Sequence, residues 1–259
     1  MVPRRVLRLV GHLGIAALTV GLLGSPDLAP ASVQPAPIPE RRPLFTSSDI
    51  RYAATAVVMV ASSTRLDHWA EDEAPENNGR FAREASRQAE HLGNPMYLAS
   101  GLVLTYAAGR VLGDPKLVGG VTQIGIGLAA AGAAAGAIKL AVGRARPYET
   151  PGDADLLRPF SGQNSFPSGH ATLAFALAAG IDRETTARWV PWVVYPMAAA
   201  VGWSRVRDQK HWASDVVAGA FLGTWTARKA IDWARGRRER HELSPAPARS
   251  LPPRSMREN

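Results

Sequence analysis

The feature that most constrains this chain is an uncharged stretch at residues 117–138, rich in alanine and glycine, with Gly132 and Gly136 in a GxxxG spacing. Strands rarely exceed about ten residues, so an apolar run of this length reads as a helix. Its small side chains let neighbouring helices approach closely, in water as in lipid. Other apolar runs lie at residues 52–64, 96–112, 171–180, 190–203 and 216–231, with Gly93-Asn94-Pro95, Gly113-Asp114-Pro115, Pro151-Gly152 and Gly162 as breakers between runs. A further segment at 80–92 places Phe81, Ala85, Ala89 and Leu92 at helical spacing. Alternation of apolar and polar residues is nowhere sustained, so a sheet is not expected. The expectation is an all-α fold, a single bundle of about six or seven core helices with its site built from loops and helix ends.

Only residues 117–138 approach the length of a membrane span, which favours a soluble or peripherally attached core and leaves an embedded form as the alternative. Residues 1–31 have the form of a signal peptide or N-terminal anchor: Arg4, Arg5 and Arg8, an apolar stretch at 13–24, then Ala29-Pro30-Ala31. Residues 32–45 continue a proline-rich linker, residues 46–235 form the folded domain, and 236–259 are a basic, proline-containing disordered tail. This organisation implies export to the periplasm or cell envelope. There is no cysteine, hence neither a disulfide framework nor a thiolate metal site. A net charge of +8 suits an anionic membrane or phosphate esters, and no nucleic-acid motif accompanies it.

Chemistry concentrates in three short motifs. The first is Lys139 with Arg146-Pro147; the second is Pro167-Ser168-Gly169-His170; the third is Ser204-Arg205, five residues, His211, then Asp215. Phosphoryl transfer spreads negative charge over three equatorial oxygens, so its catalysts need fixed cations and amide donors. Lys139, Arg146 and Arg205 supply cations, the arginines as planar forks and the lysine as a point charge. Ser168 is a good N-cap for the helix that follows, and Gly169 lets the backbone come close to an anion at the positive helix end. His211 and Asp215, four apart, lie on one face if that segment is helical. A carboxylate on one imidazole nitrogen leaves the other nitrogen free to attack.

These motifs resemble those of the type 2 phosphatidic acid phosphatase and vanadium haloperoxidase superfamily, with every motif position filled. The resemblance implies a phosphoric ester hydrolase of the acid phosphatase or lipid phosphate phosphatase type. It further implies phosphate binding by Lys139, Arg146, Ser168, Gly169 and Arg205, with His211 as nucleophile, His170 as general acid and Asp215 orienting His211. No metal or other cofactor is expected, with vanadate an inhibitor. A vanadium-dependent haloperoxidase, in which vanadate is the cofactor, and a non-catalytic membrane-associated binding protein are the alternatives. Asp153 and Asp155 read as solvated loop acids, and residues 148–165 as a candidate lid. Trp192, Trp203, Trp212 and Trp225 read as core or interface aromatics.

Overall fold

Helix starts in this protein are fixed by the residues just ahead of them. The computed structural model describes residues 43, 45–68 and 79–243; the expected signal peptide or anchor at 1–31, most of the expected linker and the chain beyond 243 lie outside them. Seven helices lie within those residues: α1 (Ser47–Ser63), α2 (Arg80–Gly93), α3 (Pro95–Leu112), α4 (Pro115–Val142), α5 (Gly169–Glu184), α6 (Pro191–Arg207) and α7 (Ala213–Leu243). Asn94 accepts from the Met96 amide at 2.9 Å and Asp114 from those of Lys116 and Leu117, each with a proline at the first helical position. Thr46 starts α1 ahead of the apolar run, because its amide donates to Asp49 Oδ2 at 2.7 Å in a capping box.

The fold is all-α, as expected, but α7 runs past the boundary set at residue 235 and reaches Leu243. The arginines read as a tail therefore stand on the last turns of a helix, where the dipole favours cations, and Arg235 pairs with Glu184.

α5 lies between α4, α6 and α7. Its alanines serve two faces: Ala176 and Ala179 pack with Leu128, Ala131 and Ala227, and Ala174 and Ala178 with Ala198 and Val201. Two glycines set how close α7 comes. A Cβ at Gly223 would stand 2.1 Å from the Thr172 carbonyl oxygen, and one at Gly219 would stand 2.7 Å from that of Ser168. With both faces bare, α7 packs directly on the first turns of α5, and the Ser168 amide donates to the Asp215 carbonyl at 2.9 Å. The second and third motifs are thereby joined through the backbone. Gly143, at φ 58°, ends α4 and leaves room for the Arg158 carbonyl, which a Cβ would meet at 1.8 Å.

The outward faces carry more apolar side chains than a soluble core leads one to expect, and among the described residues α4 is long and apolar enough to cross a membrane. Val111 is 87% exposed, and Met96, Val103, Leu104 and Leu112 on α3, Val57 and Val58 on α1 and Trp192 on α6 are exposed as well. In α4 only 22% of the most apolar window is buried. Counting uncharged residues missed this because a single arginine, Arg51 or Arg110, shortens a run without making the helix polar. Such helices are apolar toward the core and toward their surroundings. α2 differs, with Arg83, Glu84 and Arg87 on an exposed charged side.

Candidate active site

The three motifs come from helix ends that meet at one end of the bundle. Lys139 is in the last turn of α4 and Arg146 follows that helix; Ser168, Gly169 and His170 open α5; Arg205 closes α6; His211 lies between α6 and α7; Asp215 is in the first turn of α7. The Lys139 ammonium donates to the carbonyls of Asn164 at 2.5 Å and Pro167 at 2.7 Å. A Cβ at Gly169 would lie 3.7 Å from Lys139 Cε, which places this cation across the start of α5. Ser168 caps that start by accepting from the Ala171 amide.

Arg146 donates to Tyr148 Oη at 3.0 Å and Asn164 Oδ1 at 2.9 Å. Arg205, buried, donates to Glu90 Oε1 at 2.9 Å and lies 3.5 Å from Asp208 Oδ2. The Arg205 guanidinium holds the Glu90 carboxyl below the usual carboxylate range, so Glu90 is ionised. Arg146 Nε, Arg205 Nε and His170 Nε2 are buried and make no hydrogen bond among the described residues. Leaving such a group unsatisfied costs about 1–3 kcal/mol. Three on converging motifs leave donors for an oxyanion.

His211 is buried, with Nδ1 3.5 Å from Asp215 Oδ2 and 3.4 Å from Ser165 Oγ. The carboxylate favours the tautomer protonated at Nδ1, which puts the lone pair on Nε2. Burial holds the imidazole below the ordinary histidine value, with Asp215 opposing, so the ring is neutral and nucleophilic near pH 7. Asp215 is itself immobilised: Ser165 donates to Oδ2 at 2.5 Å, the Trp212 amide to Oδ2 at 3.1 Å and Arg144 to Oδ1 at 2.7 Å. The Trp212 indole donates to the Ala145 carbonyl, a core role as expected, whereas Trp192 is exposed.

All eight residues expected from the motifs converge, and sequence reasoning missed several of their partners. Asn164, Ser165 and Glu90 touch motif residues, and Arg144, Asp67 and Ser214 stand behind Asp215. Arg144, two residues before Arg146, carried a weak signal as a second arginine in the motif; Glu90 and Asp67 carried none, because only the fold brings them in. Residues 148–165 are tied down rather than hinged as a lid: Arg158 donates to the Gly143 carbonyl, Ser165 to that of Arg144, and Arg144 bridges to Leu157.

Residues 120–239 match the family model described as the PAP2 superfamily. This stretch holds all eight motif residues. Over this stretch the chain is similar to the PAP2 superfamily. It is 37% identical over 100 residues to a lipid A 1-phosphatase of Porphyromonas gingivalis, covering 38% of this chain and 20% of that protein. It is 34% identical over 88 residues to an undecaprenyl-diphosphatase of Sulfolobus acidocaldarius, covering 34% of this chain and 42% of that one. The chain thus spans less than half the length of these relatives. The PAP2 fold recurs in a transmembrane PAP2-type phosphatidylglycerolphosphate phosphatase of Bacillus subtilis, with a TM-score of 0.57 at 17% identity, over 73% of this chain and 97% of that one.

Proposed function

We propose that this protein is a membrane-embedded lipid phosphate phosphatase that works without a metal ion, through a phosphohistidine on His211. The observation that carries the reading is the meeting of three cations, a capped helix start and a carboxylate-held histidine at one end of the bundle. Lys139, Arg146, Arg205, the Ser168 hydroxyl and the Gly169 amide hold the phosphoryl oxygens. His211 Nε2 attacks phosphorus as the bond to the leaving oxygen breaks, and His170 gives that oxygen a proton. Water then attacks the phosphohistidine, its proton passing to His170, which releases inorganic phosphate and restores His211.

A lipid leaving group is supported by an apolar cavity of about 770 Å³ between α1 and α7, lined by residues including Ile50, Val57, Phe221 and Leu222. It reaches Phe166 and Pro167, immediately ahead of Ser168, so a hydrocarbon chain lying there has its phosphate end at the cations. The apolar outer faces of α1, α3 and α4 support a bilayer location. α7 starts at the site and ends with Arg235, Arg237, Arg238 and Arg240. The positive-inside tendency puts those arginines in the cytoplasm and the site on the opposite, extracytoplasmic side.

The test is phosphate release by the full-length protein in detergent micelles from phosphatidate, a polyprenyl diphosphate and a soluble aryl phosphate, with and without EDTA or vanadate. Lipid turnover that ignores EDTA and is blocked by vanadate is expected. Turnover of the soluble ester alone, or loss of activity in EDTA restored by a divalent ion, contradicts the reading.

A further inference from the structure

Behind Asp215 lies a second carboxylate that none of the motifs contains. Arg144 uses its whole fork in the interior: Nη1 donates to Asp215 Oδ1 at 2.7 Å and Ser214 Oγ at 2.7 Å, Nη2 to Asp67 Oδ2 at 2.8 Å, and Nε to the Ala154 carbonyl at 2.8 Å. Asp67 accepts as well from the Ser214 amide at 2.8 Å and the Ser214 hydroxyl at 2.6 Å. Asp67 is 1% exposed and Asp215 is fully buried. The guanidinium also stands over the Trp212 ring, next to His211.

Charge explains why two carboxylates are needed. Arg144 alone would neutralise Asp215, and His211 would face a pair with no net charge. With Asp67 on the far side, the two carboxylates and one guanidinium keep a net charge of −1 at the edge that meets His211. That charge matters in the proposed reaction, because phosphorylation at Nε2 leaves a positive ring still protonated at Nδ1. In a low-dielectric interior, charge of this kind acts strongly over short distances. Removing Asp67 also leaves a buried cation short of a partner, which disfavours further positive charge nearby.

Resting on the phosphatase reading, we infer that Asp67 is a positioning residue: through Arg144 it preserves and orients the negative charge that Asp215 presents to His211. His211 is faced by Asp215 from α7, Lys139 and Arg146 from the end of α4 and the loop after it, and His170 from α5. Asp67 changes the balance of that set without touching the phosphate.

The experiment compares the full-length protein, Asp67→Asn and the double variant Asp67→Asn/Arg144→Met in detergent micelles, with phosphatidate as substrate. Outer-shell partners of metal-ligating histidines are typically worth about 10–100-fold, and by the same orienting logic a kcat loss in that range is expected for Asp67→Asn. KM and inhibition by inorganic phosphate should stay within about twofold, since the phosphate-binding cations are unchanged. The acidic limb of kcat/KM should move to lower pH, because the uncompensated guanidinium disfavours the imidazolium. In the double variant the cluster again has a net charge of −1, now on Asp215 alone, so that limb should return to its wild-type position. Wild-type kcat and limb in Asp67→Asn, or a double variant whose limb stays displaced, overturns the inference. Weakened phosphate inhibition in Asp67→Asn would show a structural tie instead and also overturns it; the double variant reads out even if the single one does not fold. An inactive wild-type protein would instead sink the phosphatase reading.

Discussion

Asp215→Asn separates the shape of the His211 support from its charge. The side chain is fully buried, with the Trp212 amide, Ser165 and His211 at Oδ2 and Arg144 at Oδ1. An asparagine fits the space, yet its amide group must set N–H against a donor: Arg144 in one flip, or Ser165 and the Trp212 amide in the other. Either way the imidazole loses the charged acceptor that selects the Nδ1 proton. Loss of the same support in a serine protease triad lowers kcat about 10⁴-fold. The longer 3.5 Å contact here, backed by Ser165, points to about 10³-fold, or about 4 kcal/mol of barrier at 1.36 kcal/mol per decade. Stability should fall less than the ~3–5 kcal/mol typical of a broken buried pair, by about 2 kcal/mol, because Arg144 keeps Asp67 and Ser214. The assay is kcat and KM on phosphatidate, with thermal unfolding in the same detergent. A folded Asp215→Asn that keeps more than a tenth of wild-type kcat would refute the argument.

Gly223→Ala should destabilise the protein by at least about 2 kcal/mol, because the new methyl falls 2.1 Å from a backbone carbonyl that cannot rotate away; a thermal midpoint within 1 °C of wild type would show that α7 and α5 are not packed as described. The acidic limb of kcat/KM should lie below the ordinary histidine value of about 6.5, since burial lowers the His211 pKa and the neutral, attacking form therefore survives to lower pH; a limb above pH 7 contradicts this. His170→Ala should cost the ~10²–10⁴-fold typical of general acid catalysis on an alkyl phosphate and far less on an aryl phosphate with an acidic phenol, and equal losses would remove His170 from that role.

The chemistry was legible in the sequence because helix ends are written locally. Ser168, Gly169 and His170 are adjacent, and His211 stands two residues ahead of the helix whose first turn holds Asp215, so the two meet across a helix start. The surroundings were not, since Glu90 lies 115 residues from Arg205 and Asp67 lies 77 from Arg144, separations that no local pattern encodes. The apolar outward faces were not legible for a different reason. Run length counts charges along the chain, whereas the outward face of α3 depends on which side of the helix Arg110 occupies.

Trapping the reaction intermediate tests His211 as the nucleophile most directly. Labelled phosphatidate mixed with the protein and quenched within milliseconds should leave an acid-labile phosphoenzyme, with the label on His211 by peptide mapping and none trapped in His211→Ala. Label on another residue, or near-normal turnover by His211→Ala, would contradict the account.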